Sequence, residues 1–207
     1  MSNSREEKIN HILQAALMVL ATKGYENSTI ADISKAANVS RGILHYYFTD
    51  KEDLVSKVLA NASNKLVQSA LAGIKGRSQE EMIDNILSAY IKNLEKNPDF
   101  YAFLFEMWCA SRRSEKIRKE LQSCISKVVD AIREILEEAW KNSMVKFDAQ
   151  KSDERAKALL ALSDGIAFHM LINPSENLKD KKFWLAIRNM MLGVLKSDRS
   201  QFTLCSG

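Results

Sequence analysis

Apolar residues recur at helical spacing from close to the start of the chain. Ile9, Ile12, Leu13, Ala16, Leu17 and Leu20 follow the i, i+3, i+4 rhythm of one buried helix face. Lys23 and Gly24 then supply a basic last turn and a residue that tolerates a left-handed helix end. Thr29-Ile30-Ala31-Asp32 reads as a capping box, with Asp in the place usually held by Glu. It predicts a short helix that buries Ile30, Ile33, Ala36 and Ala37. Asn38 follows, and after Gly it is the residue that best accepts positive φ, so a tight turn is expected there. Val39 plugs the junction, and Ser40 is a good N-cap for a second short helix over about 40–47. Thr49 and Asp50 open a longer helix, about 51–73, carrying Leu54, Val55, Val58, Leu59, Ala62, Leu66 and Leu71.

Gly73 to Gly76 is the first clear break, and the domain boundary is expected there. Residues 1–50 form a head, about 51–73 a connecting helix, and 74–207 a body. Ser78-Gln79-Glu80-Glu81 is a second capping box. It opens a helix with Met82, Ile83, Ile86, Leu87, Tyr90, Ile91 and Leu94, which Asn97-Pro98 ends. Residues 100–110 are apolar nearly all round, which predicts a helix buried on several sides. A polar, mostly basic stretch leads into a long amphipathic helix with Ile117, Leu121, Cys124, Ile125, Val128, Ile132, Ile135, Leu136 and Ala139. Two more helices are predicted, about 152–172 and 180–196, with frayed residues after them.

Composition sharpens this picture in one direction. Only seven Gly and two Pro occur in 207 residues, too little turn punctuation for sheets, so the expected class is all-α. Charge adds nothing for nucleic acid: the net value is +4, and residues 1–60 hold seven basic and seven acidic side chains. Any basic surface must come from placement. Cys109, Cys124 and Cys205 lack CxxC spacing, which argues against a disulfide framework or zinc knuckle. The plain reading is free or buried thiols in a reducing cytosol, with a thiol sensor at Cys109 as the alternative. No apolar run reaches membrane-spanning length and the first residues are polar, so a cytoplasmic protein is expected.

The informative object is the helix-turn-helix between Thr29 and Phe48. Leu44 and Phe48, four apart, share the face that packs on the first two helices. Arg41, Gly42, His45 and Tyr46 then point elsewhere. Arg can pair bidentately with guanine, and Gly lets the backbone approach phosphate or base closely. Hydroxyl and ring groups reach phosphate oxygens, which adds Ser28, Thr29, Ser40 and Tyr47. Lys51, at the first turn of the next helix, is expected to bind a phosphate.

The run from Gly24-Tyr25 through Ser28-Thr29-Ile30-Ala31-Asp32, Ala36-Ala37-Asn38-Val39-Ser40-Arg41-Gly42 and His45-Tyr46-Tyr47-Phe48 to Lys51-Glu52-Asp53-Leu54 resembles the N-terminal domain of the TetR family of repressors. Two positions depart from the family pattern. Asn38 replaces the usual Gly of the turn, and His45 stands where Tyr is commonest, which puts its phosphate contact in doubt. A titrating His45 would make binding pH-dependent; a neutral hydrogen-bonding ring is the simpler reading. The resemblance covers about a quarter of the chain. It implies an all-helical homodimer of about nine helices, two heads in successive major grooves of a palindromic operator, and release by a small molecule bound in the body.

In similar proteins the last two long helices form the dimer interface. Here those helices carry Leu159, Leu160, Leu162, Ile166, Ala167, Met170 and Leu171, then Phe183, Trp184, Ile187, Met190, Met191, Val194 and Leu195. Each stripe is broader than one buried face needs. Tyr90, Tyr101, Phe105, Trp108, Trp140, Phe168 and His169 are the candidate lining for an apolar or flat effector. Asp164 and His169, five apart, share no helix face well, so no metal site is expected. No cofactor is expected either. No nucleophile motif, Gly-rich phosphate loop or HExxH occurs, which disfavours an enzyme. The surviving alternative is a helical small-molecule-binding or adaptor protein without specific DNA binding.

Overall fold

A computed structural model of the chain describes residues 2–72, 78–141, 149–173 and 180–196. Among these residues there are nine helices and no strand. In chain order they are α1 (Ser2–Asn27), α2 (Ile30–Ala36), α3 (Arg41–Tyr47), α4 (Lys51–Ala72), α5 (Gln79–Lys96), α6 (Pro98–Ser111), α7 (Glu115–Lys141), α8 (Ala149–Ile172) and α9 (Lys181–Lys196). The expected break at Gly73–Gly76, Cys205 and the expected frayed end lie outside the described residues.

Local chemistry sets most of the boundaries. Thr29 accepts from the Asp32 backbone at 3.1 Å while the Asp32 carboxylate accepts from the Thr29 backbone at 2.9 Å, so the first capping box is complete. Asn38 has φ 50°, as the turn between α2 and α3 requires. Ser40 caps α3 by accepting from the Ile43 backbone at 3.3 Å. Asp50 caps α4, accepting from the Asp53 backbone at 2.6 Å. Pro98 takes the first position of α6, where its missing N–H costs nothing.

The end of α1 departs from the simple left-handed cap. Gly24 has φ 77° and ψ 164°, and the helical path resumes for one more turn to Asn27. Only glycine populates that region readily. A Cβ there would also sit 2.9 Å from the Glu106 carboxylate of α6. Gly24→Ala should therefore lower stability by about 1–3 kcal/mol, read as a fall in melting temperature.

The largest core joins head and body. Ile12, Ala16 and Leu20 of α1, Ile33 of α2, Leu44 and Phe48 around α3, and Leu54 and Leu59 of α4 pack in one cluster with Phe103 and Met107 of α6 and Ile117 of α7. α6 is thus buried on several sides, as its apolar run predicts. On α7 the buried face is displaced from the expected stripe: Val129 and Ala131 are buried while Ile125 is 38% exposed. This helix packs against α4, α6 and α8 at once, so no single stripe describes it. A second core lies between α5, α6, α8 and α9, around Leu87, Tyr101, Ile166 and Trp184.

Candidate functional site

The edge running from Ser40 to Tyr47 follows from how α3 is seated. Leu44 and Phe48 are 1% and 3% exposed and anchor the helix. Ser40, Arg41, Gly42, His45 and Tyr46 are left exposed, and Tyr47 is half-buried. Tyr46 is 74% exposed, a large outlay of aromatic surface to water for a residue with no internal role. The turn is tied down from behind, where the His11 ring lies 3.0 Å from the Ala37 carbonyl that accepts from it. A short helix held by two anchors and a tied turn presents its outer face rigidly, as groove reading requires.

Placement also brings two cations to this edge, of which Lys57 is already ion-paired with Asp53 at 2.9 Å. The Arg5 guanidinium lies 5.8 Å from the Tyr47 ring centroid, and the Lys57 ammonium donates to the Tyr47 carbonyl at 3.2 Å. Neither residue carries a sequence signal for this edge, because α1 and α4 reach it only through tertiary packing. Several head carboxylates are meanwhile engaged elsewhere. Asp32 pairs with Lys23 at 2.6 Å, Asp50 with Lys116 at 3.3 Å and Glu26 with Arg113 at 3.0 Å. The Lys23 hydrogen bond, reinforced by Thr29, holds the Asp32 carboxyl down at about 2.

Two expected contacts point inwards instead. Ser28 is 2% exposed, and its hydroxyl donates to the Gly24 carbonyl at 2.6 Å, so it is withdrawn from the DNA-facing set. Lys51 donates to the Tyr25 carbonyl and lies 4.3 Å over the Tyr25 ring. In this structure its ammonium is engaged by its own chain, and burial pulls its pKa down. Both acceptors are last-turn carbonyls of α1, which a helix end leaves without helical partners, and Ser28 and Lys51 are donors that cap them. Thr29 remains exposed, but its hydroxyl donates to Asp32 at 2.7 Å.

A cavity of about 180 Å³ opens in the body between α4, α5, α6, α7, α8 and α9. Its wall is mostly aliphatic, with Tyr90, Asn93, Tyr101, Ser163 and Asp164 as the polar members. Of the expected lining, Tyr90 and Tyr101 are present. Phe105, Trp108, Phe168 and His169 are not: they form an aromatic chain outside it, with Phe105–Trp108 and Phe105–Phe168 centroids 5.4 Å and 5.3 Å apart and Phe168–His169 at 6.3 Å. Phe168 is 48% exposed, on a face of α8 turned away from the cavity. The Trp140 side chain lies outside the described residues. Cys124 is buried and Cys109 exposed.

The cavity's polar groups are held in place by one another. The Tyr90 hydroxyl donates to the Ser163 carbonyl at 2.5 Å, and Asn93 donates to the Tyr101 hydroxyl at 2.8 Å. Burial pushes both phenols well above the ordinary tyrosine value, with the nearby Asp164 carboxylate adding to it. Burial alone raises Asp164 itself from 3.8 to about 6. A carboxyl that holds its proton more tightly when folded stabilises the fold at low pH, and this stability is lost as pH rises through about 6. Asp164→Asn should therefore raise stability above that pH, by about 1–2 kcal/mol after solvent screening, and change little below pH ~4. Melting curves across that range check it.

Among the described residues no cluster of His, Cys, Asp and Glu could hold a metal ion, and no helix is long and apolar enough to cross a membrane.

Sequence comparison finds two family profiles along the chain. Residues 12–58 match the profile described as bacterial regulatory proteins, tetR family, and residues 79–191 match the BetI-type transcriptional repressor C-terminal profile. The chain belongs to the TetR family of transcriptional regulators. This TetR-family chain is 24% identical over 180 residues to the HTH-type transcriptional regulator PksA of Bacillus subtilis (strain 168), covering 85% of this chain and 84% of that protein. Salmonella enterica GusR has a similar fold, with a TM-score of 0.78 at 20% identity over 92% of this chain and 96% of that one. Bacillus subtilis FadR, solved in complex with stearoyl-CoA, superposes with a TM-score of 0.68 at 19% identity, over 89% of this chain and 96% of that one. The exposed edge of α3 lies within the stretch that the tetR-family profile covers.

Proposed function

We propose that this regulator is a cytoplasmic, homodimeric repressor that leaves a palindromic operator when a small effector fills the body cavity. The observation that carries the reading is the outward edge of α3, five exposed side chains or backbone sites held by two buried anchors. In this reading Arg41 pairs with a base. Gly42 lets the backbone close on the groove, and Thr29, Ser40, His45, Tyr46 and Tyr47 reach phosphates or base edges. Arg5 adds positive charge at the same edge.

The dimer is formed by α8 and α9. The exposed face of α8 carries Ala158, Ala161, Gly165, Phe168 and Ile172, and that of α9 carries Leu185, Ala186, Met190 and Gly193. Small residues flanked by large apolar ones suit close helix packing against a copy of the same face. Phe168 thereby serves the interface rather than the cavity. An effector between α5, α6, α7 and α8 acts by favouring one head spacing over another, through its differential affinity for the two shapes. The route from cavity to head runs along α6: the Tyr25 backbone donates to Glu106 at 3.1 Å, and Ser114 donates to Glu52 at 2.7 Å.

Selection of duplexes from a random pool, followed by titration at fixed salt, tests the DNA reading. Enrichment of a two-fold symmetric site, bound at least a thousand-fold more tightly than random duplex, is expected. An adaptor without specific DNA binding would enrich no sequence.

A further inference from the structure

Five polar side chains line the body cavity, and four of them have their polar groups engaged within the protein. Tyr90 is bound to the Ser163 carbonyl, Tyr101 to Asn93, Asn93 also to Asn97, and Ser163 to the Leu160 carbonyl. Asp164 is the exception: among the described residues its carboxylate has neither a hydrogen-bond donor nor a cation. No Lys, Arg or His lines the cavity. The acid's proximity is felt by both Tyr90 and Tyr101, whose rings stand edge to face with centroids 6.4 Å apart. One unpaired acid beside two aromatic rings, in an otherwise aliphatic chamber, is a receptor for positive charge on an apolar body.

We propose that the effector is a monovalent organic cation, an ammonium head on an apolar or aromatic body, with its head at Asp164 beside Tyr90 and Tyr101. The proposal rests on the body cavity being the effector site and adds the charge of what fills it. The chamber's size sets the scale of the body. A protein cavity of about 150 Å³ accepts benzene, and this one, at about 180 Å³, has room for a ring with a short side chain. A neutral ligand would leave the acid without its counter-charge. An anionic one would be placed against a carboxylate with no compensating cation in the wall. The upward displacement of the Asp164 pKa by burial agrees with a group that lacks a partner until one is brought in.

The test is direct binding to the full-length protein, without DNA, of three probes that share one ring and differ in their head: phenethylamine, phenethyl alcohol and phenylacetate. Calorimetric titration at neutral pH should show the ammonium binding at least tenfold more tightly than the alcohol, with the carboxylate weakest. Asp164→Asn should bring the ammonium down to the alcohol's affinity and leave the alcohol unchanged. Equal affinity for amine and alcohol in the wild-type protein, or tighter carboxylate binding, overturns the cation assignment while leaving the cavity an effector site. A preference for amine that persists in Asp164→Asn removes Asp164 from the recognition. Binding of none of the three overturns the cavity reading itself, and the cation assignment with it. The wild-type series decides the matter without the variant.

Discussion

Arg41→Ala should lower operator affinity by roughly thirty-fold to twenty-thousand-fold and leave the melting temperature unchanged. A bidentate contact to guanine contributes about 1–3 kcal/mol of discrimination. Each operator engages two heads, so the loss is counted twice, about 2–6 kcal/mol, with tenfold in affinity for every 1.4 kcal/mol. Nothing in the fold depends on this side chain. Arg41 is exposed at the first position of α3, and the helix is held by Leu44, Phe48 and the Ser40 cap. Affinity for random duplex should fall far less, because it registers only one lost charge per head. Titrations of selected and scrambled duplexes by fluorescence anisotropy separate the two effects. An Arg41→Ala protein that binds its selected site as well as wild type would remove α3 from base reading.

Gly165→Glu should convert the dimer to a monomer and weaken operator binding by about a hundred-fold to ten-thousand-fold, the advantage that linking two heads confers. Gly165 lies mid-way along the exposed face of α8, and a Cβ built there meets no atom of its own chain within 4 Å. The isolated subunit therefore has room for the new side chain, and glutamate is a better helix former than glycine by roughly half a kcal/mol or more. A facing copy has no such room, and would have to bury the charge against Phe168, Ile172 or Met190. Light scattering at micromolar concentration reads the mass directly. A dimer that survives the substitution places the interface elsewhere.

The parts of this molecule that the sequence makes legible are those set by neighbours a few residues apart. Thr29 with Asp32, Asn38, Ser40 and Pro98 act on backbone groups within one turn, so their residue types suffice to locate α2, α3 and α6. The outward set on α3 follows from the same logic, since Leu44 and Phe48 define the inner face and the remainder is outside.

What depends on distant packing is hidden. The Ser28 and Lys51 donors are drawn inwards by the last-turn carbonyls of α1, beside a kink at Gly24 that lies against Glu106, 82 residues further along the chain. Aromatic content singles out Tyr90 and Tyr101 but cannot tell them from Phe105, Trp108 and Phe168. The face each residue presents depends on how α5, α6 and α8 are rotated against one another. Asp164 is weighed in the sequence only as a partner for His169, with which it shares no face. Its position in the cavity wall emerges when α8 is set against α5 and α6. Arg5 reaches Tyr47 for the same kind of reason, from the far end of α1.

A hydroxyl-radical footprint of the wild-type protein on its selected duplex goes most directly to the heart of the account. Two heads docked on successive turns of the major groove should leave two protected stretches related by two-fold symmetry, centred about 34 Å apart along the helix axis. One protected stretch alone, or even protection along the whole duplex, would contradict a dimer that reads DNA through the paired edges of α3.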